Sequence, residues 1–317
     1  MHKLATSLMA ATAALLLCVS GVSAAYPERP ITVVIGYGAG GTTDIMGRAM
    51  CHLLALELGT NIVVKNVAGA AGTIGAAEVA QAKPDGYTLM VAPVGTMASQ
   101  PNLRKLPYNW DEFTTIARIS ANPVVVCTTK NSPWNSFNEA VDDIRKNPDK
   151  YFYASTGAGG SSHVQQAALF FTLGLNIGHM PAKDSGSAAL AMQSGTVQLY
   201  ADPPVIVKQF DLKPLALFAE KRMETLPDVP TFKELGVDIP VFTNWYCFYG
   251  PPNLPEDIRK KLEAAAEKVL TSAEFKVLCD KVDMFPGFLN SKDATAFATN
   301  EYNLFSKYME QFGLKKK

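Results

Sequence analysis

Two glycine-rich stretches hold the residues best suited to chemistry: GYGAGGTTD over 36–44 and GAGGSSH over 157–163. In the first, Tyr37, Gly38, Ala39, Gly40 and Gly41 lead into Thr42, Thr43 and Asp44, any of which can cap a following helix. A β-branched run, Ile31–Ile35, precedes the loop and reads as a buried strand. Strand, flexible turn and helix N-terminus together aim free backbone N–H groups and the positive end of a helix dipole at one point, where an anion can bind. The loop has neither the GxGxxG spacing of a dinucleotide fold nor the Lys-Ser/Thr ending of a nucleotide P-loop. A tight turn with no ligand would use the same residues, and the loop alone leaves both readings open.

The second stretch raises nucleophilic catalysis, with His163 as base beside Ser155 or Ser161. No acidic partner is placed by sequence to orient the histidine, and GxSxG is absent, so a hydrogen-bonding role is favoured. His52 and His179 have no metal-ligand spacing with cysteine or histidine. A Schiff base on Lys183 is weaker than a solvated or ligand-facing lysine. No metal or cofactor is expected.

The elements around these loops follow a strand–helix rhythm. Strands are expected at 31–35, 61–65 and 87–92, with helices after 44 and over about 74–82. The apolar face of the first helix is read as Ile45, Leu53 and Leu56. This spacing means a parallel α/β sheet whose loops 36–44, 68–75 and 93–99, the last with Thr96, share the carboxyl edge where ligands bind. Residues 100–123 read as a connection, after which the rhythm restarts: strand 124–128, helix 136–145, strand 151–155, loop 157–163, helix 164–173. This repeats an architecture, not a sequence. Strands at 195–201, 213–219 and 244–249 follow, then helices over 255–270, from 272 and over 291–312. Phe297, Leu304, Phe305, Tyr308 and Phe312 share a face of the last helix and read as core, as do Trp245, Tyr246 and Phe248. The C-terminal helices are expected to return to the first lobe.

Residues 1–24 read as a secretory signal peptide: Lys3, an apolar stretch over 4–17, then small residues at Val22-Ser23-Ala24. Cys18 follows Leu17, too bulky for the usual lipid-attachment site. No later run is long and apolar enough to span a bilayer. Without the leader, 28 Lys and Arg (29 less Lys3) face 29 Asp and Glu, a net charge of −1 that gives no reason to expect a nucleic acid or membrane surface as partner. Cys51, Cys127, Cys247 and Cys279 are widely spaced with no CxxC and read as buried thiols, any disulfide pairing being unassignable.

Across the whole mature chain the motifs resemble the periplasmic solute receptors of the tripartite tricarboxylate transporter family, also called Bug proteins. An opening like PxxPIxxVVPFxPGGxxDxxAR is matched from Pro27 through Arg48. ENxPGAGGxIG and PDGYTL are matched by 65–75 and 84–89, SxGxGSxxHL by 155–164, HxPYKGxxPA loosely by 179–188, and LPDVPTxxELG closely by 226–236. The resemblance implies an α/β, two-lobed periplasmic binding protein of type II (Venus flytrap), with a ligand cleft between the lobes. The expected division is 1–24 signal peptide, 25–122 first lobe, 123–240 second lobe and 241–317 return to the first. The implied function is not enzymatic. It is capture of a small carboxylate in the periplasm by a monomeric receptor and delivery to a permease of one large and one small subunit. Presentation to a membrane sensor is the alternative, with an exported Ser/His hydrolase behind it.

In the family the two glycine loops grip a ligand carboxylate, which implies Tyr37, Gly40, Gly41, Thr43 and Asp44 on one side and Ser155, Gly157, Gly159 and His163 on the other. Four hydrogen bonds to a charged group at roughly 1.5–3 kcal/mol each approach the ~8 kcal/mol of a micromolar dissociation constant. The chain departs from the family pattern at Ala39, Lys65, Gly160, where Ser161 can supply the hydroxyl, Ala182 and Asp184. Alanine in place of an aromatic wall widens that side, and Asp184 adds an acceptor there, so the ligand's distal end is expected to be bulkier or to carry a hydroxyl or amino group. Asp202, in YADPP, aligns with an acidic position near the family's cleft; core hydrogen bonding or helix capping explains it equally well.

Overall fold

The structure is a computed structural model that describes residues 26–311 and residue 314. The expected signal peptide, Cys18 and Phe312 lie outside the described residues.

The eleven strands named here form two sheets. The first, ordered β11-β4-β10-β3-β1-β2, contains β1 (Ile31–Ile35), β2 (Ile62–Asn66), β3 (Thr88–Pro93), β4 (Thr114–Asn122), β10 (Asn244–Gly250) and β11 (Pro286–Leu289). β1 pairs parallel with β2 and β3, as the strand–helix spacing requires, and β10 runs antiparallel between β3 and β4. The second sheet, ordered β7-β6-β8-β5-β9, contains β5 (Val124–Thr129), β6 (Phe152–Ser155), β7 (Gly178–Pro181), β8 (Leu199–Asp202) and β9 (Leu212–Phe218). The chain passes between sheets at Pro123, which has no N–H to continue a ladder, and again between β9 and β10. At the first crossing Asn122 and Asn244 are register partners, and Asn122 Nδ2 donates to Asn244 O at 3.2 Å.

Helices α1 (Thr42–Leu58), α2 (Thr73–Ala80), α3 (Phe137–Lys146), α4 (Ser161–Thr172) and α5 (Ser185–Gln193) follow strands. α6 (Glu256–Leu270), α7 (Ala273–Asp280) and α8 (Ser291–Gln311) close the chain, and α6 packs against α1 and β4 of the first sheet. Trp245, Tyr246, Phe248 and Phe305 are fully buried. Cys51, Cys127, Cys247 and Cys279 are buried free thiols. Among the described residues no helix is long and apolar enough to cross a membrane.

Three expectations are corrected. Residues 100–123 are not a plain connection: they contain β4, a nine-residue strand between β11 and β10 in the first sheet. Its polar residues disguise it. Arg118 donates from Nε to Gly287 O at 2.7 Å and its guanidinium lies 4.5 Å from the Phe297 ring, which satisfies the charge inside a half-buried strand. The buried face of α1 is Met46, Met50, Cys51 and Leu54, whereas Leu56 is 71% exposed. α4 begins at Ser161, directly after Gly160, three residues before the expected start.

Candidate functional site

The first loop is built on a charged lock. Beyond β1, Gly36 passes so close to Gly72 that a Cβ would come 2.7 Å from its Cα. Tyr37 OH donates to Ala71 O at 3.0 Å, where Thr96 Oγ1 also donates at 3.1 Å. Asp44, in the first turn of α1, accepts from Gly40 N at 2.9 Å, Arg48 Nε at 2.9 Å and Asn66 Nδ2 at 2.8 Å. Burial alone would raise its carboxyl; the bonds from Arg48, Gly40 and Asn66 outweigh it and hold the pKa below the ordinary value. The loop tip, Ala39 and Gly40, is exposed.

The second loop is built on a neutral lock. Gly157 and Gly159 take φ of 119° and 74°, conformations open chiefly to glycine. Gly159 N donates to His163 Nδ1 at 2.9 Å, and Thr156 N to Ser162 Oγ at 3.0 Å. His163 stacks on His179 with centroids 3.9 Å apart. Burial pushes both imidazoles down to about 4, His179 further by its neighbour. Ser155 Oγ donates to Gly157 O at 3.1 Å and lies 2.7 Å from His179 Nε2. When the hydroxyl hydrogen points at the carbonyl, which can only accept, the imidazole donates to the serine. That is the reverse of what an activated nucleophile needs.

Between the loops lies a small cavity of about 10 Å³, room for about one water, lined by Tyr37, Gly41, Thr42, Thr43, Pro93, Thr156, Ser161, Ser185, Asp202 and Asn244. The N-caps of α1 and α4 are Gly41 and Gly160, and neither has a side-chain cap bond. Two helix N-termini, one from each sheet, therefore bring their first residues to one cavity. On its floor Asp202 Oδ2 accepts from Tyr200 OH at 2.5 Å and Thr42 Oγ1 at 3.5 Å, and Oδ1 from Asn244 Nδ2 at 3.3 Å. Burial pushes this carboxyl up to about 6 against the pull of those donors.

Other bonds cross between the sheets. Thr42 Oγ1 and Ser185 Oγ are 3.1 Å apart, Gln209 Nε2 donates to Gly40 O at 3.2 Å, Ser99 Oγ to Gly159 O at 3.0 Å and Gln100 Nε2 to Ala158 O at 2.8 Å.

Of the expected residues, Tyr37, Gly41, Thr42, Thr43, Ser161 and Asp202 line the cavity. Asp44 and Thr96 stand behind it as supports. Ser155, Gly157, Gly159, Gly160 and His163 form the frame of the second loop, Gly157 packing on Ala71. Gly38 faces Asp184, and any Cβ there would collide with its carboxylate. Asp184, expected to meet a ligand's distal end, caps α5 by accepting from Ser187 N at 2.7 Å. Ala182 is tied to Ser155 O through its N–H at 2.7 Å. Sequence reasoning missed Pro93, Thr156, Ser185 and Asn244. Pro93 opens the loop 93–99 it had placed at the carboxyl edge, Thr156 and Ser185 adjoin residues it had singled out, and Asn244 opens the aromatic strand it had placed.

Residues 46–314 match the tripartite tricarboxylate transporter family receptor, a match that begins just beyond the first loop. A protein of Cupriavidus necator, "UPF0065 protein in gbd 5'region", is 32% identical over 97% of this chain and 95% of its own. The periplasmic binding protein BugD superposes with a TM-score of 0.86 at 28% identity, over 92% of this chain and 100% of that one. Two proteins of Rhodopseudomonas palustris do likewise: Rpa4515 with adipate (TM-score 0.87, 26% identity, 91% and 98% covered) and MatC with bound malate (0.83, 28%, 89% and 99%). The fold is thus the two-lobed one of periplasmic binding proteins, and the chain belongs to the tripartite tricarboxylate transporter family of receptors.

Proposed function

We propose that this protein is an extracytoplasmic receptor that closes its two lobes on the carboxylate of a small organic acid and hands it to a tripartite tricarboxylate-type permease. One observation carries the reading: α1 and α4, rooted in different sheets, bring uncapped N-termini to the same buried cavity. The Thr42 N–H leans on Ser185 Oγ at 3.4 Å. Beyond it, each terminus offers first-turn N–H groups and a partial positive charge, and a carboxylate bridging them gains from both only when the lobes are together. The adipate and malate held by the similar structures support the ligand class. Residues 25–122 with 241–317 form one lobe and 123–240 the other. Residues 1–24 direct export to the periplasm, and the receptor works as a monomer without turning its ligand over.

The site comprises Tyr37, Gly41, Thr42, Thr43, Ser161 and Asp202, together with Thr156, Ser185 and Asn244. A cavity of about 10 Å³ admits no organic acid while shut, so binding requires the lobes to part first. A thermal-shift screen of mature protein against mono-, di- and tricarboxylates, aromatic acids and amino acids, followed by calorimetry, tests the reading. An upward shift with one carboxylate class, recovered unchanged, is the expected result. Silence across all carboxylates in protein free of copurified ligand overturns it.

A further inference from the structure

The cavity that attracts an anion also contains a carboxylate. Asp202 is 2% exposed and bonded only to neutral donors, and among the described residues no lysine, arginine or histidine acts on it. Asn244 deepens the contradiction. Because its Nδ2 donates to Asp202, its amide orientation is fixed, and its Oδ1 is left buried without any partner in the wall of the same cavity. The site therefore offers two helix N-termini for a negative group and, beside them, a carboxylate with an orphaned carbonyl for a donor.

We propose that Asp202 and Asn244 make the site selective for a carboxylate with a hydrogen-bond donor beside it, an α-ammonium above all, and that a carboxylate lacking the donor binds only with uptake of a proton. The inference rests on the carboxylate-receptor reading. Two carboxylates about 5 Å apart in a medium of effective dielectric 20 repel enough to cost on the order of 100-fold in affinity. An ammonium between them reverses that sign, and a proton on Asp202 removes it. The titratable groups that sense Asp202 are Tyr37 on the first loop, Tyr200 on its own strand, Tyr246 on β10 and Cys127 on β5. All four are pushed up by burial and stay neutral at neutral pH, so Asp202, with a carboxyl near 6, is the group that can take the proton.

Calorimetry on mature wild-type protein with paired ligands tests this: alanine and propionate, aspartate and succinate, glutamate and glutarate, phenylalanine and 3-phenylpropionate. Each pair is run at pH 5.5 and 8.0 in two buffers of different ionisation enthalpy. Within the pair that binds, the amino acid is expected to be tighter by on the order of 100-fold at pH 8.0, with the gap closing at pH 5.5. The des-amino partner should take up about one proton at pH 8.0 and the amino acid none. Asp202→Asn should bring the two within a few-fold, and Asn244→Ala should weaken the amino acid alone. A des-amino acid that binds as tightly as its partner without proton uptake overturns the inference and leaves the receptor reading standing. Failure of every carboxylate to bind removes the receptor reading itself.

Discussion

The two glycine loops present the same element to the cavity, a strand, a turn and an uncapped helix N-terminus, yet they are held in opposite ways. The first is fastened by charge: Asp44 gathers Arg48, Asn66 and the Gly40 amide. The second is fastened by neutral groups: a histidine pair, two hydroxyl bridges and glycines at positive φ. A loop that must face an anion needs no cation of its own, because backbone amides supply the attraction. What the rest of the network must provide is rigidity, and charge or packing serves equally. The two solutions respond differently to substitution and to pH.

The largest effect is expected at the charged lock. Asp44→Ala leaves the Gly40 and Asn66 donors without their acceptor and Arg48 without its partner. It should lower stability by roughly 3 kcal/mol, a Tm drop of roughly 6 °C, and remove carboxylate binding. Urea unfolding and calorimetry read both; a variant that binds as wild type would show that the first loop holds itself. At the neutral lock, Gly157→Ala forces a Cβ into a positive φ within 3.1 Å of Ala71, for a cost of roughly 1–3 kcal/mol. Thermal melts should show a smaller loss than for Asp44→Ala but an equal loss of binding.

pH separates the loops without mutation. His163 and His179 fall from the ordinary 6.5 to about 4 in the folded state, so their contribution is complete above pH 6.5 and is lost as pH falls through 4. Asp44, whose folded carboxyl lies below the usual 3.8, keeps its contribution until the pH falls below that value. Hydrogen exchange, corrected for intrinsic rates, should therefore show the Gly159 amide losing protection between pH 6.5 and 4 while the Gly40 amide keeps it. Asp202 runs the other way: its carboxyl is raised to about 6, so its contribution is complete below 3.8 and fades as pH rises through 6. An Asp202→Asn variant should steepen the acid-side loss of Tm. The smallest effect is expected at Lys65, whose ammonium pairs with Glu78 at 2.8 Å with both side chains exposed. Lys65→Ala should change stability by less than about 0.5 kcal/mol.

Most of both sheets and both loops were legible because short β-branched or aromatic runs followed by glycine clusters state a strand and a turn within ten residues, but the short edge strands β7 and β11 were not placed. β4 was not, since Arg118 and Ser120 inside it are satisfied only by β11, α8 and Asn122, partners that no local pattern announces. The apolar face of α1 was misjudged for a related reason. Ile45 and Leu53 do pack, half-buried, against the core, but Leu56 points outward and Met46, Met50, Cys51 and Leu54 form the buried face, because the direction of the helix off β1 decides which face meets α6. The cavity itself was half legible. Thr42, Asp202 and Asn244 meet from positions more than forty residues apart, and only the closed arrangement of two sheets makes them neighbours. Asp184 illustrates the converse: it reads from sequence as a ligand group, and in the fold its Oδ1 also caps a helix, next to Ser185 in the cavity wall.

The central claim is that one carboxylate is held by two helix N-termini from opposite lobes. Backbone amide NMR of labelled mature protein, titrated with whichever carboxylate the thermal screen identifies, tests it at the atoms concerned. Thr43 and Ser161 N–H resonances are expected to move together, with one shared dissociation constant, as the ligand is added. Movement of one without the other at saturation would contradict the account, because the ligand would then be held by a single lobe.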